Sequence, residues 1–63
     1  MKGIIEMEMV RTLFDGWLLV KPFSYVYGPL WNYMYTDSYK GTEFNVYKHI
    51  NGEMCVVLTS EII

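Results

Sequence analysis

What this chain has little of narrows its chemistry. It holds one cysteine, Cys55, so no internal disulfide can form. It holds one histidine, His49, and a Cys/His zinc site needs more ligands than a single copy supplies. Positive charge is sparse: Lys2, Arg11, Lys21, Lys40 and Lys48 are scattered, and the net charge is −2. Non-specific nucleic-acid binding is driven by clustered cations, so this balance argues against it. Acidic runs dense enough to imitate a nucleic acid are missing too. No apolar stretch approaches the roughly 20 residues that span a bilayer. The opening residues lack a signal-peptide pattern, because Glu6 and Glu8 interrupt the apolar residues after Lys2. A reducing, cytoplasmic location fits a lone cysteine. There is no glycine-rich phosphate loop, no zinc-finger spacing and no Ser/His/Asp set. With walls for a pocket hard to build from 63 residues, the expectation is a protein that is not an enzyme and carries no metal or cofactor.

Hydrophobic residues make up 52% of the chain and aromatic residues 17%, a composition that folds. Residues 1–63, beginning at Met1, read as one small complete domain. A chain of this length buries only about 60% of the surface its unfolded form exposes. Small scaffolds usually add a disulfide, a metal or self-association. The first two being excluded, a homo-oligomer is expected.

Two dipeptides punctuate the sequence. Asp15-Gly16 and Asn51-Gly52 favour two-residue type I′ turns, in which both central residues take positive φ. The first joins a strand over about 3–14 to another over 17–27, with Pro22 at an edge or bulge. Gly28-Pro29 marks a further turn. A third strand spans 31–36, residues 37–41 form a loop, and strands over 43–50 and 53–60 flank the second dipeptide. The predicted fold is all-β: five short antiparallel strands in one curled sheet, an SH3-like barrel or a meander. A short helix near 29–36, started by Pro29, is the competing reading of that segment.

Two-residue turns imply a register. Thr12 then faces Leu19 and Val10 faces Lys21. The core side of the first hairpin holds Ile5, Met7, Met9, Leu13, Leu18 and Val20, with Arg11 as an exception. The opposite side holds Glu6, Glu8, Thr12, Phe14, Trp17, Leu19, Lys21 and Phe23. Further on, Phe23, Tyr25, Tyr27, Trp31, Tyr33, Tyr35 and Tyr39 all occupy odd positions. With a loop over 28–30, Tyr27 faces Trp31, Tyr25 faces Tyr33 and Phe23 faces Tyr35, forming an aromatic ladder on one side of the sheet. Cross-strand aromatic pairs contribute up to about 1 kcal/mol each. The rings could simply fill the core. Tyrosine, however, needs a partner for its hydroxyl when buried, and Tyr and Trp are enriched where proteins meet. Phe23, Tyr25, Tyr27, Trp31, Tyr33 and Tyr35 are therefore the candidate partner-binding residues.

The remaining constellations are weaker. Glu6 and Glu8 point the same way from a strand, as a solvated face would. His49 shares a face with Tyr47 and Asn45, but no nucleophile accompanies it. Cys55 falls opposite Lys48, a neighbour that would activate a thiol, yet lies in the most apolar strand and reads as buried and inert. The expected function is a protein-interaction module that inhibits or links a partner protein, or assembles with itself. Phage and mobile-element genomes often encode free-standing proteins of this size, a point about length rather than residues. Two alternatives are a single-stranded nucleic-acid binder, with bases stacked on the rings, and a structural subunit of a larger assembly.

Overall fold

The computed structural model describes residues 8–62. Five strands form two antiparallel sheets. Strands β1 (Met9–Thr12) and β2 (Gly16–Leu19) make a hairpin, and β3 (Trp31–Tyr39), β4 (Thr42–His49) and β5 (Met54–Leu58) make a meander. A single helical turn, α1 (Phe23–Val26), lies between the two sheets in sequence, and a 3₁₀ turn at Thr59–Glu61 follows β5. The fold is mostly β, as expected, but the strands neither share one sheet nor close a barrel.

The turns depart from the expected geometry, and each departure changes which side chains face inward. At the first, the pairing is Thr12 with Gly16 and Val10 with Leu18. The loop is Leu13-Phe14-Asp15, closed by the Thr12 hydroxyl, which accepts from the Asp15 N–H at 2.9 Å and donates to the Gly16 carbonyl at 2.8 Å. Only Gly16 takes positive φ there, at 70°. Because side chains alternate, an odd shift in register inverts one strand against its partner. Val10 and Thr12 are consequently buried, while Met9, Arg11 and Leu13 face outward. In β2 the expected sides hold: Leu18 and Val20 pack inward and Trp17 and Leu19 face water. Residues 1–7, including Ile5, Glu6 and Met7, lie outside the described residues.

Asn51-Gly52 behaves similarly. The His49 N–H donates to the Glu53 carbonyl at 2.7 Å around a three-residue loop. The loop is braced by the Asn51 N–H on His49 Nδ1 (3.0 Å) and the Glu53 N–H on Asn51 Oδ1 (2.8 Å). Cys55 therefore lies opposite Tyr47 and not Lys48. The turn whose two central residues both have positive φ is Lys40-Gly41, at 51° and 79°. It extends β3 through Tyr39, where a loop over 37–41 was expected. The alternative helix over 29–36 does not form either.

The strand expected over 17–27 ends early for a chemical reason. Val20 makes a parallel bridge to Val56, and the Lys21 N–H donates to the Val56 carbonyl at 2.8 Å. Pro22, at φ −69° and ψ 158°, follows directly and takes the N-cap position of α1. The chain turns away, the Tyr25 N–H donating back to the Pro22 carbonyl at 2.9 Å. α1 buries one residue, Val26.

The meander is covered on both faces. On one, Val10 of the hairpin meets Phe44, Val46 and Val56, with Leu18, Val20, Tyr35, Tyr39, Met54 and Leu58 around them. On the other, Val26 of α1 meets Cys55 and Val57, with Trp31, Tyr47 and Ile62. β5 supplies buried residues to both sides, which is why its apolar run shows no alternation. The tip of the hairpin is held to β3 by Asp37, which accepts from the Leu13 N–H (2.8 Å) and from its neighbour's N–H at Ser38 (2.7 Å).

Candidate functional site: an aromatic sheet face

One irregularity decides where the aromatic residues go. The β3–β4 register shifts between Tyr33 and Tyr35, so Met34 is a bulge. Before it, Trp31 pairs with His49 and Tyr33 with Tyr47; after it, Tyr35 pairs with Val46 and Asp37 with Phe44. The bulge thus sends odd-numbered side chains to opposite faces of the sheet. Tyr35 and Tyr39 go under the hairpin, and Trp31 and Tyr33 join Tyr47 and His49 on the α1 side.

The expected ladder is therefore replaced by a different array. Phe23 and Tyr25 stand on α1, and Tyr27 caps its end, so none of the three sits in a strand facing β3. The pairs Tyr27–Trp31, Tyr25–Tyr33 and Phe23–Tyr35 are not made. Instead Tyr25 packs on Trp31 (centroids 5.5 Å), Trp31 meets the His49 ring edge-on (4.9 Å), Tyr33 meets Tyr47 (6.1 Å) and Phe23 meets Tyr27 (6.1 Å). Tyr35 is drawn out of the array: its ring takes Phe14 at 5.4 Å and its hydroxyl donates to Asp15 at 2.5 Å. Burial first, and the Asp15 hydrogen bond second, raise its phenol above the ordinary range.

Polar contacts hold the exposed rings in place. Tyr33 Oη and Thr36 Oγ1 are 2.7 Å apart, and Thr36 gives its proton to Asn45 Oδ1 at 2.6 Å, so Tyr33 is the donor of the first pair. Asn45 Nδ2 in turn reaches Tyr47 Oη at 3.4 Å. At the other end, Tyr25 donates to Glu53 at 2.6 Å, a contact that raises the phenol, and Lys21 Nζ lies 4.8 Å over the same ring. Tyr27 and Tyr33 remain well exposed, at 79% and 57%. Edge-to-face packing is worth about 0.5–1.5 kcal/mol per pair beyond area burial. The array is consequently a preset surface rather than a loose collection of side chains.

Tyr47 and His49 belong to this surface and were absent from the candidates read in sequence. Their alternation with Asn45 on one strand was visible; what hid the connection was the bulge, which alone decides which β3 rings they meet. Cys55 is buried, and burial foremost pushes its thiol up to about 11, against a small opposing effect of Lys21. Glu8 is exposed. Among the described residues, no three His, Cys, Asp or Glu side chains converge as metal ligands, and no helix is long and apolar enough to cross a membrane. A shallow cleft of about 250 Å³ opens between β1 and β3 beside Arg11 and Asp37.

Fold and surface together describe a β-rich domain that displays a fixed set of rings on one sheet face. No family model, characterised protein or solved structure matches the chain.

Proposed function

We propose that this protein is a protein-interaction module whose working surface is the aromatic face formed by Tyr25, Trp31, Tyr33, Tyr47 and His49, with Phe23 and Tyr27 at its margin. The observation that carries this reading is the hydrogen-bonded and edge-packed order of these rings, with Tyr25 and Tyr33 exposed and Trp31, Tyr47 and His49 half-buried beside them. Rigid Tyr and Trp side chains provide contact area at low entropic cost, and a few such residues carry most of the energy of a typical interface. The charge around the rings favours protein over nucleic acid. Lys21 is already seated on Tyr25, and Glu53 stands beside it, so a phosphate backbone would meet a carboxylate and one engaged ammonium.

The test is affinity capture from a lysate of the native host, with and without nuclease. Wild type is compared with a Tyr25→Ser/Tyr33→Ser variant whose circular dichroism matches it. The expected result is a protein retained by wild type, resistant to nuclease and lost with the variant. Each tyrosine should contribute about 1–2 kcal/mol of the affinity. Capture that depends on nucleic acid would overturn the reading in favour of base stacking. Recovery of the protein alone would make it a self-assembling structural subunit.

A further inference from the structure

The outer face of the β1–β2 hairpin carries a second surface, separate from the aromatic face. Met9 lies opposite Leu19 and Arg11 opposite Trp17, and all four are exposed, with the Trp17 ring also packed edge-on against Tyr39 at 5.4 Å. Leu13 extends this surface at the tip, whereas Phe14, also exposed, packs against Tyr35 on the inner side. Leu13 is 76% exposed, Phe14 73% and Trp17 51%, with Met9 and Leu19 a little under half exposed.

From this face we infer that the protein forms a two-fold dimer through its hairpin, with a second copy of the chain as the occupant. Area is the first reason. At these exposures Met9, Leu13, Trp17 and Leu19 leave roughly 400–450 Å² in water per copy. Two such faces together bury roughly 800–900 Å², the size of a weak, concentration-dependent contact. The second reason is chemical self-complementarity. Across a two-fold axis, residue i of one copy meets residue j of the other and the converse. Arg11 and Trp17 are a cation and a π face lying side by side, so each copy offers both halves of a cation–π pair. The aliphatic residues Met9, Leu13 and Leu19 surround that pair with surface suited to burial. The aromatic face differs: the hydroxyls of Tyr25, Tyr33 and Tyr47 are engaged with Glu53, Thr36 and Asn45, as befits a wetter contact. A hairpin dimer leaves both aromatic faces free and makes the assembly bivalent.

Sedimentation velocity on the full chain, from micromolar to near-millimolar protein, tests this. Wild type should pass to twice the 7.5 kDa chain mass as concentration rises. Trp17→Glu should weaken that transition by about thirtyfold or more, the factor equivalent to the 2 kcal/mol that defines a hot-spot residue. Arg11→Glu should weaken it less. Both positions face outward, so each variant should keep the wild-type circular dichroism. If Trp17→Glu does not fold, Leu19→Lys takes its place as the test. Ile50→Ser, an exposed apolar change remote from the hairpin, should leave the transition intact. A monomer at every concentration would overturn the proposal. So would dimerisation that survives Trp17→Glu and is lost with Tyr33→Ser, which would seat the second copy on the aromatic face. A monomer that dimerises only after residues 1–7 are removed would also overturn it, making that segment the occupant.

Discussion

Lys40 carries an energetic cost that its position makes visible. It is the one described non-glycine residue with positive φ, a region that disfavours side chains with a Cβ but accepts Asn readily. Lys40→Asn should raise the unfolding free energy by about 0.5–1 kcal/mol in a urea melt, with the sheet unchanged. Cys55 makes a second prediction. Its thiol is held protonated to about pH 11 in the fold, against an unfolded value near 9. The folded chain thus binds more protons than the unfolded chain between these limits, and stability must fall as pH rises through that window. A difference of about two units corresponds to about 2–3 kcal/mol. Cys55→Val should remove this part of the alkaline loss, leaving the part due to Tyr25 and Tyr35, whose raised phenols act in the same direction. Denaturant midpoints from pH 8 to 11 would measure both.

At the scale of elements, the Met34 bulge matters most. Deleting Met34 would make β3 alternate without interruption, turning either Trp31 and Tyr33 into the hairpin side or Tyr35 and Tyr39 away from it. Either outcome breaks packing on one face, and a loss of about 3 kcal/mol or more is expected in thermal or urea unfolding. Met34→Ala, which keeps the count, should cost far less, because that side chain is exposed. The strands themselves were legible: β4 and β5 lie within a few residues of where the apolar runs around Asn51-Gly52 put them. Their register was not. Asp-Gly and Asn-Gly signal two-residue turns, but the Thr12 hydroxyl, the His49 ring and the Asn51 amide close longer loops by bonding backbone groups nearby. The Arg11 side chain, out of place on a supposed core face, was the one sign of the inversion. α1 was hidden because Phe-Ser-Tyr-Val favours strands, and a single turn after the Pro22 N-cap is too short to show helical periodicity.

For the molecule as a whole, the meander is a partition. It separates two small clusters, and the hairpin and α1 cover one each. The hairpin is tied to the meander at one side by the Val20–Val56 bridge and at its tip through Asp37 and through Asp15, which accepts from the Tyr35 hydroxyl. Asp37→Ala removes the acceptor for two backbone N–H groups and should lower stability by about 1–2 kcal/mol. Amide hydrogen exchange should then quicken in β1 and β2 before β4 and β5, because local opening follows the weakest attachments. Uniform acceleration through all five strands would instead mean that hairpin and meander unfold as one unit. The abundance of aromatic side chains between residues 23 and 39 was legible, but their odd-numbered spacing pointed to a ladder that does not form. Their arrangement depends on contacts between residues far apart in sequence, such as Tyr25 with Glu53, which no local pattern encodes.

The run of hydrogen bonds from Tyr33 through Thr36 and Asn45 to Tyr47 also gives the aromatic face a polarity. Every proton in it points the same way, from Tyr33 toward Tyr47. The Tyr33 oxygen has given its proton inward and can only accept from outside. The Tyr47 oxygen already accepts from Asn45, so its own proton is directed outward. A polar group approaching one ring meets an acceptor, and about one strand spacing away it meets a donor. The surface therefore has a head and a tail, and a partner laid across it in reverse would meet like against like at both ends.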